Sequence, residues 1–318
     1  MSGTKQPLTR REFVAGAVAA TALVATAQVH AQEDAMIPVV DSHQHIWDLK
    51  RFHLPWTERD KPMARDFSMQ DYLEATRGIP IEKSVYVEVD VEPSQQQAEA
   101  DYIVELCRRK EGPLAAAVVS GRPISDQFPA YARQFKDHPY VRGVRQVLHG
   151  PSTPAGYCLQ KEFIAGIRAL GELGLSFDIV IRPGELADAA KLIQACPGTQ
   201  FILDHCGNAS VQSPDLAPWR RDIATVAEQK NVVCKISGII AFVKPGEWQA
   251  DDLAPIVNHA LTVFGPDRVM YGGDWPVCNL GASYREWYDA LNQIVADRPL
   301  SERRRLFHDN AIRYYRLA

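Results

Sequence analysis

The chain has 318 residues, 46% of them hydrophobic and 23% charged, and a formal net charge of −4. That is enough apolar chain to bury one large core. The acidic balance, with no basic run outside Arg303-Arg304-Arg305, argues against nucleic-acid binding, and the triplet itself reads as a solvated helix face.

In chain order the first feature is Thr9-Arg10-Arg11-Glu12-Phe13-Val14, followed by an Ala-rich, mildly apolar run to Ala27. Val29-His30-Ala31 then places small residues at the −3 and −1 positions of a cleavage site. The segment resembles a twin-arginine export signal. Residues 1–31 are therefore expected to be a signal used by the twin-arginine export machinery, with residues 32–318 the folded body and the periplasm its destination. The apolar run is too short and too rich in Ala and Thr for a membrane span, which needs roughly 20 strongly apolar residues, so no membrane association is expected after export. Removing Lys5, Arg10, Arg11 and Glu12 takes away three positive charges and one negative, moving the net charge from −4 to −6.

Eight short apolar runs follow, read as strands at 37–40, 83–89, 114–119, 141–148, 176–181, 199–203, 231–236 and 268–271. Continuous runs, rather than strict alternation, suit strands covered on both faces, as in a parallel sheet ringed by helices. Helix signals lie between them. Ser94 before Gln95-Gln96-Gln97-Ala98-Glu99 starts one helix and Pro183-Gly184-Glu185-Leu186 another, while Ser283 and Ser301 can cap the last two. Strand, helix, strand at this cadence implies right-handed parallel crossovers. The expected architecture is a single α/β domain, a (β/α)8 barrel. Residues 50–66 and 148–157, irregular and containing Pro, read as long loops after strands one and four.

The six cysteines, Cys107, Cys158, Cys196, Cys206, Cys234 and Cys278, show no CxxC pair. They read as core thiols, although an oxidising compartment permits a disulfide.

Polar groups at the C-terminal ends of strands build the active site of such a barrel. His43 and His45, two residues apart at the end of strand one, project to one side and can share an ion or a substrate oxygen. His205 ends strand six, and Asp274 follows strand eight between Gly272-Gly273 and Trp275-Pro276. These imidazoles and one carboxylate suffice for one divalent ion, zinc by ligand type, with a position left for water. They also suffice without a metal, with the histidines polarising a carbonyl and Asp274 taking a proton from water. Glu88 can complete the site or bond a substrate hydroxyl, Arg145 can grip a substrate carboxylate or carbonyl, and Lys235 can stabilise charge in the mouth. Trp47, Trp56 and Trp275 would supply flat walls for a ring substrate. No Gly-x-Ser-x-Gly elbow, His-Glu-x-x-His helix or Gly-rich phosphate loop is present.

Val40-Asp-Ser-His-Gln-His-Ile-Trp47, Gly143-Val144-Arg145, Leu203-Asp204-His205, Lys235-Ile236-Ser237-Gly238 and Gly272-Gly273-Asp274-Trp275-Pro276-Val277 together resemble the amidohydrolase superfamily (amidohydrolase-2 type). The closer likeness is to its sugar-lactone and 2-pyrone-4,6-dicarboxylate lactonase branch. The resemblance implies a hydrolase that opens a small cyclic ester, with His43, His45, His205 and Asp274 at the metal-ligand positions. Asp274 and His205 would be catalytic. Strand four lacks the Lys of a bridging carbamate, and strand five carries Asp178 and Arg182 where a binuclear site would have His. One ion at most is therefore expected. A neighbouring branch of non-oxidative decarboxylases and a lactone isomerase are the alternatives. The sequence fixes neither the substrate nor the oligomeric state.

Overall fold

In a computed structural model the protein is described over residues 37–58 and 61–317. The expected export signal at residues 1–31 lies outside these. Eight parallel strands run β1 Val39–Gln44, β2 Ile81–Val87, β3 Leu114–Ser120, β4 Val141–Val147, β5 Ser176–Val180, β6 Phe201–Leu203, β7 Val232–Ile236 and β8 Val269–Tyr271, each paired with the next. After them in turn come α1 Met69–Ala75, α2 Gln96–Arg109, α3 Phe128–Arg133, α4 Lys161–Glu172, α5 Leu186–Ala195, α6 Ala217–Glu228, α7 Ala250–Phe264 and α8 Tyr284–Ile294. This is the (β/α)8 barrel that the cadence of apolar runs predicts.

β8 returns to β1 without a regular ladder. The seam is made by His45 N–H donating to Trp275 O at 2.8 Å and Asp274 N–H to His43 O at 2.7 Å, with Gln44 bridging to Trp275. β1 also runs four residues further than its apolar run, because the buried polar residues from Asp41 to Gln44 all find partners. A register shift lies between Asp41 and Gln44. It inserts an odd step, so that Val40 packs in the barrel's apolar cluster and His43, three residues on, joins the polar layer.

The apolar cluster contains Val40, Val85, Val118, Ile202, Val233 and Met270 from the strands, together with Ala311, Tyr315 and Leu317 from the C-terminal segment. The period of two then carries Ile202 up to Asp204 and Val233 up to Lys235, from apolar floor to polar mouth.

Two capping expectations change. Pro93–Gln95 forms a 3-10 turn before α2, so Ser94 does not cap it, and Ser301 lies within the helix Leu300–Arg304, preceded by Pro299. Ser283 does cap α8, exchanging hydrogen bonds with Glu286. The basic triplet is not wholly solvated either: Arg303 is buried, and Arg305 pairs with Asp267 at 3.3 Å. All six cysteines are buried and free.

Candidate active site

His205 and Asp274 both leave their strand ends in the left-handed region, at φ 55° and 54°. Such a conformation costs a non-glycine residue about 1–3 kcal/mol and is held only by surrounding structure. For His205 that structure comes from the segment after β7. Ser237 Oγ lies 2.9 Å from His205 Nδ1, and Gly238, itself at φ 68°, leaves the space into which the imidazole fits.

Around Asp274 Oδ1 stand His45 Nε2 at 3.4 Å, His43 Nε2 at 3.6 Å and His205 Nε2 at 4.0 Å. The two β1 imidazoles meet Nε2 to Nε2 at 3.2 Å. Ligands about 2.0–2.1 Å from a tetrahedral zinc stand about 3.3–3.5 Å apart, so the atoms of His43, His45 and Asp274 fit around one small ion. His45 Nδ1 lies 2.7 Å from Val87 O, a carbonyl that can only accept. The proton is therefore on Nδ1, and the Nε2 lone pair faces the cluster.

A second set, His43, Asp204 and His205, also converges. Asp204, however, already pairs with Lys235 Nζ at 3.0 Å and Arg145 Nη1 at 3.3 Å. Its charge is used, and the set shares His43 with the first. His43, His45 and Asp274 fit one metal, and His205 stands at its edge with Nε2 4.0 Å from Asp274 Oδ1.

Behind the imidazoles lies a buried ionic layer. Arg145 Nε donates to Glu88 Oε1 at 2.8 Å, Lys235 Nζ to Asp178 Oδ2 at 2.8 Å, and the Tyr315 hydroxyl also donates to Asp178. Arg145 Nη1 and Lys235 Nζ approach the two ring nitrogens of His43, each at 3.2 Å. Burial first, then the Lys235 ammonium, holds the pKa of His43 well below the ordinary range, so the ring is neutral and able to coordinate. Burial alone would raise the Asp274 carboxyl, but the imidazoles of His205, His45 and His43 outweigh it, and the group is ionised at neutral pH. Burial raises Asp178 against the opposing pull of Lys235. The carboxylates of Asp274, Asp204, Asp178 and Glu88 thus gather around two cations, Arg145 and Lys235.

Of the ten residues singled out in the sequence, His43, His45, His205, Asp274, Glu88, Arg145 and Lys235 meet in this cluster, but several are placed differently from expectation. Arg145, expected to grip substrate with its fork, spends that fork on Glu88 and Asp204, and Glu88 is correspondingly its partner. Lys235 is fully buried in ion pairs with Asp178 and Asp204. Trp47 and Trp275, expected as substrate walls, are only 2% exposed and pack edge-on against Phe67. Trp56 caps Trp47 and donates its indole N–H to Val89 O. These aromatics brace the loop after β1.

Sequence reasoning assigned no role to Ser237, Asp204, Tyr315 or Asp41. Asp204 was findable, two residues beyond the apolar Ile202 on one face of β6. Tyr315 carries no local signal, because it meets Asp178 from 137 residues away.

Residues 40–317 match the amidohydrolase family. An uncharacterised protein of Sinorhizobium fredii is 27% identical over 303 residues, covering 88% of this chain and 99% of that one. An L-fucono-1,5-lactonase of Burkholderia multivorans is 27% identical over 292 residues, covering 87% of this chain and 96% of the other. The crystal structure of a zinc-bound amidohydrolase from Burkholderia multivorans superposes with a TM-score of 0.78 at 26% identity, over 88% of this chain and 100% of that one. A match that takes in every strand end described above settles the family: the chain belongs to the amidohydrolases.

Proposed function

We propose that the protein hydrolyses a small lactone, a sugar-acid lactone or one of the pyrone or muconolactone type, at the cluster of His43, His45, His205 and Asp274. The observation that carries this reading is the convergence of three Nε2 atoms within 3.4–4.0 Å of one oxygen of an ionised carboxylate. The similarity to an L-fucono-1,5-lactonase supports the substrate class.

A divalent ion bound by His43, His45 and Asp274 would polarise the ester carbonyl and lower the pKa of water, and the zinc in the related crystal structure favours zinc. The chain's own residues position and move protons. Asp274, with Oδ1 turned to the imidazoles, accepts a proton from the attacking water and returns it to the alkoxide released when the ring opens. His205, its Nδ1 held by Ser237, keeps Nε2 turned toward Asp274 Oδ1. Burial and the Lys235 ammonium keep His43 neutral. Lys235 does so from within ion pairs, so charge is supplied without a flexible cation in the mouth. Residues 1–31 we read as a twin-arginine signal delivering the protein to the periplasm, on the strength of Arg10-Arg11 and the Ala-rich run behind them.

The test is a pH-indicator assay with L-fucono-1,5-lactone and muconolactones, on the wild type and Asp274→Asn. Acid release that the substitution abolishes supports the proposal. Carbon dioxide from aromatic acids, with no lactone opened, would replace it with a decarboxylase, and a product of unchanged mass with an isomerase.

A further inference from the structure

Asp41 precedes the histidine pair but turns away from it, toward the helix layer, where it is completely buried. Among the described residues no cation pairs with it. Its two oxygens instead divide the work between them. Oδ1 accepts from two backbone amides, His43 N–H at 3.0 Å and Gly273 N–H at 2.7 Å. Oδ2 accepts from two hydroxyls, Tyr72 of α1 at 2.9 Å and Tyr284 of α8 at 3.0 Å. Four donors suffice to hold a carboxylate away from water.

The geometry points to Asp41 as a positioning residue that sets the separation of His43 and Asp274. This rests on the functional reading of that cluster. The amides on Oδ1 belong to His43 itself and to the residue just before Asp274, and they sit on opposite sides of the β1–β8 seam, where no regular ladder fixes register. One oxygen atom thus reinforces the two backbone bonds of the seam, Asp274 N–H to His43 O and His45 N–H to Trp275 O, at the level where the site needs it. Gly273 is shaped to this arrangement: a Cβ there would stand 2.7 Å from Asp41 Oδ2 and 2.2 Å from Tyr284 Cε2. The tyrosine hydroxyls on Oδ2 orient the carboxylate and bond neither side of the seam; their rings, Tyr72 against Trp275 and Tyr284 against Gly273, would be kept by phenylalanine.

The two oxygens therefore make separable predictions. Asp41→Ala removes the amide clamp and should lower kcat at least 10-fold per folded molecule, with KM changed less than about threefold, because a misplaced carboxylate impairs the transition state more than binding. Asp41→Asn keeps an oxygen for the two amides and should restore kcat to within about threefold. Tyr72→Phe with Tyr284→Phe should lower the unfolding temperature yet leave kcat within about twofold.

If Asp41→Ala fails to fold, the asparagine and tyrosine variants still decide, since a purely structural Asp41 would make kcat fall in step with stability in both. Parallel loss of kcat and unfolding temperature across the series, or wild-type kcat in Asp41→Ala, overturns the inference. Crystal structures separate this outcome from a failure of the functional reading. The 3.6 Å His43–Asp274 distance should widen in Asp41→Ala, whatever substrate the enzyme proves to take, and an unchanged distance overturns the positioning role.

Discussion

Gly238 and His205 occupy one space: a Cβ built on Gly238 would lie 2.3 Å from Nδ1 of the imidazole and 2.4 Å from its Cγ. Gly238→Ala should push the ring off Asp274 and lower kcat by about 100-fold or more. A non-glycine residue at φ 68° should also cost about 1–3 kcal/mol of stability. Steady-state kinetics and urea unfolding of the variant check both, and wild-type turnover would mean that the ring does not need that space.

Ser237→Ala removes the partner of His205 Nδ1. Loss of such an outer contact typically weakens metal binding about 10–100-fold. Competition with a chromophoric chelator measures it for zinc. Elemental analysis of the wild type should find no more than one ion per chain, since the two candidate ligand sets share His43. Two ions per chain would contradict the single-site reading.

The buried Lys235 should be costly to neutralise. Lys235→Met leaves Asp178 and part of the charge on Asp204 unpaired, so stability should fall by about 3–5 kcal/mol. Adding Asp178→Asn removes one of the stranded charges and should recover part of that loss. Urea unfolding of the single and double variants checks the coupling, and additive losses would deny it.

Glu99 of α2 supplies a pH signature away from the site. Burial, then the neighbouring Glu88 carboxylate, pushes its pKa from 4.5 up to about 8, while Tyr86 and the Val89 amide both donate to Oε1. A raised acid holds its proton in the folded state, so its contribution is full below about pH 4.5 and is lost as pH rises toward 8. The span corresponds to at most about 5 kcal/mol. Glu99→Gln, which cannot ionise, should match the wild type near pH 5 and exceed it in unfolding temperature at pH 8–9. Parallel pH profiles would sink this assignment.

The barrel was legible because its strands are apolar runs at a regular cadence, and His43, His45, His205 and Asp274 because strand ends are where such a barrel places its chemistry. Arg145 and Lys235 were legible as buried charges but not in role. Whether a cation faces substrate or a carboxylate depends on which residue lies across the barrel, and Glu88, Asp178 and Asp204 reach them from other strands. Asp41 stayed hidden because its partners, Tyr72, Gly273 and Tyr284, come from both ends of the chain. The end of β1 was missed for a related reason. Its last residues are polar and buried, which an apolar-run criterion cannot see.

The central claim is that water is added to a ring ester under the control of Asp274. Opening a lactone in oxygen-18 water with the wild type should give an acid that carries one labelled oxygen in its new carboxylate, with one proton released per ring, and Asp274→Asn should give neither above background. An unlabelled product, or full turnover by the asparagine variant, would contradict the account.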